Sequence, residues 1–258
     1  MTEILPSQPN TTEITYVGHA SVLVEMGCVR LLTDPLLRDR VWHLRRQKIK
    51  LDPGVTRNLS AVLISHAHWD HLDLPSLRLF DRNTKILTPQ GTGKILQKEG
   101  FHDISELKEG DQVSLGSVEV KATFADHDGS RYRYGPAAET LGFVINGAHK
   151  IYFAGDTDVF PGMSDLSHGL DIALLPVWGW GPTLGSGHMN PQQAATALQL
   201  LNPRISIPIH WGTLFPWALH WLLPRFLHDP PWAFENFAAN LAPDVDVRIV
   251  APGESIQF

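Results

Sequence analysis

Three histidines and one aspartate fall within six consecutive positions of this chain, from His66 to His71. The cluster directly follows the apolar run 59–64, which has the composition of a buried β-strand. A single histidine at a strand end is usually an ordinary packing or surface residue. Burying four such polar groups without partners would cost roughly 1 to 3 kcal/mol each. Because imidazole and carboxylate are ligands that suit zinc, iron and manganese, the cluster predicts a metal site.

Three further candidate ligands come later in the chain, each shortly after a segment that reads as a strand. Loops at the ends of rigid strands are common positions for functional side chains. The three are His127 after the run 118–124, Asp156 after 150–154, and His210 after 205–209.

The pattern His-x-His-x-Asp-His, followed by these three residues in this order, resembles the signature of the metallo-β-lactamase superfamily of hydrolases. The resemblance extends over essentially the whole chain and implies an α/β fold, a four-layer αββα sandwich with the ligands along one sheet edge. It also implies two divalent metal ions, with zinc as the first choice and manganese or iron left open. One ion would be held by His66, His68 and His127, and the other by Asp70, His71 and His210, with Asp156 bridging the two.

Two of these positions separate branches of that superfamily. The lactamases proper carry a cysteine where this chain has Asp156, and the flavo-diiron oxidoreductases carry a glutamate where it has His68. The resemblance therefore implies a binuclear hydrolase that is neither a lactamase nor a flavo-diiron protein.

Several short motifs are similar to a narrower subgroup, which contains the N-acylphosphatidylethanolamine-hydrolysing phospholipase D and the L-ascorbate-6-phosphate lactonase. Members of this subgroup act on different bonds, so the resemblance leaves the substrate open. The motifs lie at residues 18–21, 33–35, 153–157, 188–191 and 208–213.

The expected chemistry is attack by a metal-bound hydroxide, which Asp70 and Asp156 would orient as catalytic residues. Such a site needs no serine or cysteine nucleophile. A phosphodiester, which could be lipid-like, is the leading substrate class, and a small phosphorylated or apolar lactone is the alternative. A non-catalytic metal-binding module is a third interpretation, but a module would be expected to lose some of the ligands.

Residues outside the ligand set are candidates for handling the substrate. His188 lies in a glycine-rich loop, where it could donate a proton or hold an oxyanion, or simply bond to the backbone. His19 and Asp34 could contact substrate or brace the metal ligands. Arg131 and Arg133 could recognise a phosphate, although a solvated loop is nearly as good an interpretation.

The segment 214–237 is dense in tryptophan, phenylalanine and leucine and is interrupted by prolines. It could form an apolar substrate wall that includes Trp217 and Trp221. A helix burying its aromatic face in the core, or a transient contact with a membrane surface, are alternatives. The segment is too short and too interrupted to span a bilayer.

Composition sets the remaining expectations. With 258 residues, the chain suits one domain spanning 1–258, and a formal net charge of -6 argues against nucleic acid as a partner. Cys28 is the only cysteine and the first ten residues lack an apolar signal segment, so we expect a cytoplasmic protein. Oligomeric state cannot be deduced.

Local patterns predict the main elements as well. Helices are expected at 75–80, at 93–99, and from Asn190 to Leu201, where asparagine and proline mark the start. Strands are expected at 15–17, 22–25, 29–32, 85–87, 112–124, 141–153 and 172–177, with a turn at Asn146-Gly147.

Overall fold

The structure is a computed structural model and describes residues 11–47, 51–131 and 139–258. The strands are β1 Thr12–Gly18, β2 Ser21–Met26, β3 Val29–Thr33, β4 Arg40–Val41, β5 Leu44–Arg46, β6 Ala61–Leu63, β7 Ile86–Pro89, β8 Ile104–Leu107, β9 Gln112–Leu115, β10 Val118–Phe124, β11 Leu141–Asn146, β12 Lys150–Phe153, β13 Ile172–Pro176, β14 Ile205–Ile209, β15 Leu214–Pro216, β16 Asp246–Val247 and β17 Ser255–Gln257. The helices are α1 Leu74–Leu77, α2 Gly93–Lys98, α3 Pro191–Leu201, α4 Arg225–His228 and α5 Pro230–Leu241, with 3₁₀ turns at Pro53–Thr56 and Pro161–Leu166.

The first large sheet pairs its strands in the order β17-β1-β2-β3-β6-β7-β8. Its amino-terminal part is the expected antiparallel meander, whereas β3, β6, β7 and β8 run parallel. The His66 to His71 segment follows β6 directly. It therefore leaves the sheet at the carboxyl ends of the parallel strands.

The second large sheet has the order β16-β14-β13-β12-β11-β10-β9. Strands β12, β13, β14 and β16 are parallel, while β9 to β12 pair antiparallel. Asp156 follows β12 and His210 follows β14, so both ligands leave the parallel part of this sheet at the same edge. Parallel strands need crossover connections, and α3 supplies the one between β13 and β14.

Strand β6 shows how the layers are built. Ala61 and Leu63 belong to the core between the two sheets, whereas Val62 and Ile64 face an outer core with Leu77 of α1. This alternation is the period of a strand that is buried on both faces. Helices α3 and α5 cover the second sheet from its other side. The expected αββα sandwich is confirmed.

Most predicted elements are found, with shifted ends. The helix from Asn190 to Leu201 begins with a capping box between Asn190 and Gln193, and Asn202 closes it in the left-handed conformation. The expected strand at 112–124 is divided into β9 and β10, because Gly116 turns the chain with a φ of 61°. The predicted helix at 75–80 ends earlier, at Leu77.

A small third sheet, in the order β15-β5-β4, was not predicted. Leu214 pairs with Arg46 and Pro216 with Leu44, so the start of the aromatic segment is joined to a hairpin near residue 42. Residues 217–224 are mostly turns, and the remainder of the segment forms α4 and most of α5, which begin after Pro224 and at Pro230. The prolines thus break it into short elements, and none of the helices in the described ranges is long and apolar enough to cross a membrane.

Candidate metal centre

Asp34 anchors the histidine-rich loop at its start. Its Oδ1 accepts the Ser65 backbone N–H at 2.7 Å, and its Oδ2 accepts the Ser65 hydroxyl at 2.6 Å. The same Oδ2 lies 2.8 Å from Nδ1 of His71. Asp34 is fully buried, so these contacts also compensate its charge. This places Asp34 as a brace of the loop, which is one of its two expected roles.

The hydrogen bonds of the loop set the tautomers of two histidines. Since the Ser65 hydroxyl donates to Asp34, it accepts from Nδ1 of His66 at 2.9 Å. Nδ1 of His71 donates to Asp34. Both rings therefore present Nε2 to the interior of the site, because a carboxylate or hydroxyl partner on one nitrogen fixes the role of the other.

Two more histidines are held by main-chain carbonyls. Nδ1 of His127 donates to the Gly187 carbonyl at 2.8 Å, and Nδ1 of His210 donates to the Trp178 carbonyl at 2.9 Å. Gly187 has a φ of 72°, and a Cβ there would come within 2.8 Å of the His127 ring. A glycine is therefore required for this close approach. Nε2 of both histidines again faces the centre.

Asp156 lies at the middle of the cluster. Its Oδ2 is 3.1 Å from Nε2 of His71 and 4.0 Å from Nε2 of His66, and its Oδ1 is 3.2 Å from Nε2 of His210. Gly155 precedes it with a φ of 63°, and a Cβ there would lie 2.8 Å from Cβ of Ser65. The second sheet therefore meets the loop of the first sheet at van der Waals distance beside Asp156.

The donor atoms form groups in which all members lie within 4.8 Å of one another. These groups are His66, His68 and His127; His19, Asp70, His71 and His210; His66, His71 and Asp156; and His127, Asp156 and His188. The first is one of the two ligand sets implied by the resemblance, and the second contains the other set together with His19. Asp156 groups with His66 of the first set and with His71 of the second.

Unpartnered buried atoms test whether these residues fit metal ions. Nε2 of His66, His71 and His210 and Oδ1 of Asp156 are buried and make no aligned hydrogen bond in the described part of the chain. Orphaned polar atoms of this kind are costly, and here they converge on one point. Imidazole nitrogen and carboxylate oxygen are also the correct donor chemistry for zinc. The site fits divalent metal.

The protonation states agree with this fit. Burial lowers the pKa of His127 to about 4 and that of His210 to about 3, and it holds the pKa of His66 well below its usual value. These imidazoles are therefore neutral at pH 7 and can act as ligands. His71 behaves oppositely: burial opposes its charge, but the carboxylates of Asp156 and Asp34 hold its pKa well above the usual value.

His188 is brought to the edge of the same cluster. Its Nε2 is 3.3 Å from Oδ2 of Asp156, and its Nδ1 donates to the Ser186 carbonyl at 3.1 Å. Burial opposes protonation, but the hydrogen bond to Asp156 raises the pKa of His188. The side chain is 22 % exposed, in contrast to His66, His71 and His210, which are buried. Unlike those three, His188 is therefore accessible to a substrate, as are the partly exposed His68 and His127.

His19 is buried behind the loop, with Nε2 3.0 Å from Oδ2 of Asp70. Burial opposes ionisation of Asp70, but this hydrogen bond and the charge of His71 lower the pKa of the carboxyl. The His19 backbone is in the left-handed conformation, and its N–H donates to Thr213 Oγ1 at 2.7 Å. This arrangement favours a bracing role over substrate contact.

Arg131 is also directed at protein groups. Its Nη1 donates to the carbonyls of Ala67 and Leu72 at 2.9 Å, and its guanidinium stacks on the Trp69 ring at 3.9 Å. The side chain is buried and clamps both ends of the metal loop. This engagement weakens the phosphate-binding interpretation for Arg131, while Arg133 lies outside the described residues.

The two tryptophans expected at the substrate wall lie on the surface. Trp217 is 60 % exposed and packs under the Arg45 guanidinium, and Trp221 is 82 % exposed beside His220. Trp217 lines a pocket with residues of the β4–β5 hairpin. Sequence reasoning missed this hairpin, and also Ser65 and the carbonyls of Trp178 and Gly187. Only Ser65, next to the motif, gave a signal that could have been used.

Comparison with known proteins agrees with this geometry. The sequence-family model of the beta-lactamase superfamily domain matches residues 29–211 of this chain. A UPF0173 metal-dependent hydrolase from Opitutus terrae is 33 % identical to this chain, and the match covers 95 % of this chain and 99 % of the relative. A UPF0173 metal-dependent hydrolase from Rubrobacter xylanophilus is 32 % identical, and the match covers 95 % of this chain and 96 % of the relative.

Solved structures show the same fold. The metallo hydrolase Igni18 from Ignicoccus hospitalis matches with a TM-score of 0.74 and 25 % identity, covering 96 % of this chain and 98 % of that one. An isothiocyanate hydrolase from Delia radicum gut bacteria matches in fold, with a TM-score of 0.73 and 18 % identity over 95 % and 99 %. The chain belongs to the UPF0173 metal-dependent hydrolase family of the beta-lactamase superfamily.

Proposed function

We propose that this metal-dependent hydrolase is binuclear and cleaves a phosphodiester. The observation that carries the binuclear part is the position of Asp156, whose two oxygens lie near ligands of both sets: Oδ1 near His210 and Oδ2 near His71 and His66. His66, His68 and His127 would hold one ion, Asp70, His71 and His210 the other, and Asp156 both. Zinc is the first choice of metal.

Two divalent ions, when bound, activate water and polarise the oxygen of the bond under attack. The protein residues supply orientation. Asp34 and the carbonyls of Gly187 and Trp178 keep the ligand rings in one tautomer, and His19 holds Asp70. Such partners commonly change metal affinity or activity 10- to 100-fold, roughly, when removed.

His188 is the proposed proton donor. Asp156 raises its pKa, and its partial exposure lets it reach a leaving oxygen on the substrate. A positioned acid of this kind contributes about 10² to 10⁴ in rate. The mechanism needs such a donor because an alkoxide is a poor leaving group at neutral pH.

The phosphodiester assignment is supported by the resemblance of the short motifs to those of the phospholipase D and lactonase subgroup. Arg131 does not add to it, because its Nη1 is bonded to the metal loop. A lactone remains the second candidate, because its recognition needs no cationic side chain to contact a phosphate. The aromatic wall that we expected around Trp217 and Trp221 would suit an apolar substituent on either substrate.

The test is metal analysis combined with a substrate panel. The purified protein is loaded in turn with zinc, manganese and iron, and assayed on bis(p-nitrophenyl) phosphate, p-nitrophenyl phosphate, an aliphatic lactone and a thioester. We expect two ions per chain and the fastest turnover on the diester. Full activity with one ion would contradict the binuclear proposal, and a faster lactone reaction would replace the substrate. No turnover on the panel by the fully loaded protein would favour a metal-binding module.

A further inference from the structure

The β4–β5 hairpin crosses the rim of the metal centre. Val41 pairs with Leu44, so the hairpin turns through only two residues, Trp42 and His43. The Trp42 ring lies 5.8 Å from the ring of Trp69, which stands between two metal ligands in the loop. The His43 ring lies 5.5 Å from the Trp180 ring, two residues beyond the carbonyl that orients His210. The tip thus touches both loops that border the site.

The turn is built with an unfavourable residue. Trp42 has a φ of 50° and is 64 % exposed. Turns with a positive φ at the first central position favour glycine, because a side chain there is strained. Strain of this kind is concentrated at binding sites.

The side of the hairpin next to Trp42 forms a pocket against β15. The pocket has a volume of about 410 Å³ and is lined by Arg40, His43, Arg45, Pro216, Trp217 and Ala218. None of these lining residues is acidic, although the chain as a whole has a net charge of -6. Nε of Arg40 is anchored on the Trp42 carbonyl at 2.7 Å, and the Arg45 guanidinium lies 5.3 Å from the centre of the Trp217 ring.

We propose that this pocket binds an anionic oxyacid group, carboxylate or tetrahedral, that is joined to a small apolar body. Guanidinium groups match such anions in geometry as well as charge, and Trp217 offers a flat apolar face beside them. His43 belongs both to the pocket and to the rim of the metal centre. The site therefore recognises the remote end of a substrate whose scissile bond lies at the metals, and in this respect it rests on the proposed function.

The test measures binding without turnover. Benzenesulfonate and benzoate carry the two kinds of anion on the same ring, and benzyl alcohol is the neutral counterpart. Each is titrated by calorimetry into the metal-loaded protein. We expect the better anion to bind at least about tenfold more tightly than the alcohol. Tighter binding of benzenesulfonate would indicate a preference for a tetrahedral oxyacid, and tighter binding of benzoate a preference for a planar carboxylate.

Variants locate the binding. Arg40→Gln together with Arg45→Gln should remove the preference for the anion, and Trp217→Ala should weaken both kinds of ligand. Arg204→Gln and Trp232→Ala are matched controls, because Arg204 is an exposed arginine paired with Asp171 and Trp232 is an exposed tryptophan on α5. Both controls should bind like the wild type. Melting temperature and metal content confirm that each variant is folded and loaded.

Equal binding of anion and alcohol by the wild type would overturn the proposal. So would a preference that persists in the folded double arginine variant, since the anion would then be bound at the metals or elsewhere. The outcome is separable from the proposed function. If the protein prefers the anion but hydrolyses no substrate, the anion pocket is supported and the proposed function is contradicted. If it hydrolyses the diester but shows no preference for the anion, the proposed function is supported and the anion pocket is contradicted.

Discussion

The metal loop and the β4–β5 hairpin meet at the contact of Trp69 with Trp42 but are built in opposite ways. In the loop, His66 and His71 are fully buried and each ring is fixed by a hydrogen bond at Nδ1. On the hairpin, Trp42, Arg40 and Arg45 are exposed and held by few contacts. A site that must place ligand atoms accurately needs rigid support, whereas a surface that selects among substrates can adapt. The difference indicates which residues should affect chemistry and which should affect recognition.

The largest effect is expected on the loop side, from Asp156→Ala. With Asp156 as the proposed bridge, its removal would take a ligand from both ions, and it leaves the charge of His71 with one buried partner fewer. Metal content and activity should therefore be lost together. Elemental analysis and turnover of the same preparation measure this, with Asp165→Ala, an exposed acid, as control. Retention of two ions would show that Asp156 is not the bridge.

His188→Ala should separate proton transfer from metal binding. We expect turnover to fall by about 10² to 10⁴, because one positioned acid is lost, while the metal content stays at the wild-type level. His168→Ala, at an exposed position, is the control. Loss of metal from the variant would indicate that His188 is a metal ligand. Normal turnover by the variant would indicate that His188 has no part in the reaction.

Asp34→Asn tests the rigid support itself. The amide oxygen can still accept the Ser65 backbone N–H, but the NH2 group then takes the place of Oδ2 and faces two groups that already donate, the Ser65 hydroxyl and Nδ1 of His71. The His71 tautomer should then be lost and metal affinity should fall roughly 10- to 100-fold. Competition with a chromogenic chelator measures the affinity. Unchanged affinity in the folded variant would place the support elsewhere.

Metal uptake should release protons from the loop. In the ion-free chain, Asp156 and Asp34 outweigh burial and keep the pKa of His71 well above its usual value, so Nε2 is protonated at pH 7. A metal can bind this nitrogen only after the proton leaves, and we expect about one proton per fully loaded chain. Zinc titrations in buffers of different ionisation enthalpy give the number. Uptake without release would mean that His71 is already neutral.

The smallest effect is expected on the hairpin, where we expect a substitution to stabilise the protein. Trp42→Asn should stabilise the protein by about 1 kcal/mol, since asparagine tolerates the left-handed conformation better than tryptophan. The same variant should handle substrate less well, with KM raised more than kcat is lowered. Trp217→Asn, at an exposed tryptophan without a positive φ, should not gain stability. Destabilisation by Trp42→Asn would show that its contact with Trp69 outweighs the strain.

The contrast between the two regions also explains what the sequence could predict. The ligand types are rare side chains in a fixed order, each placed after a strand with a clear hydrophobic pattern, so both the sandwich and the candidate ligands could be inferred. The carbonyls of Trp178 and Gly187 have no side-chain signature. The pairing of β5 with β15 joins residues near 45 and 215, and no local pattern specifies it. The role of Arg131 depended on where Ala67 and Leu72 lie in space.

The ligand side chains come from both halves of the sandwich: the loop after β6 belongs to one sheet, whereas His127, Asp156 and His210 belong to the other. A bound ion is therefore a cross-link between two sheets whose strands are far apart in sequence. Binding at a thousand times the dissociation constant stabilises a folded state by about 4 kcal/mol, a large share of a domain's stability. Removal of the metal should accordingly weaken the contact between the two sheets at Gly155 and Ser65. Loss of metal would then remove both the catalytic group and a source of fold stability.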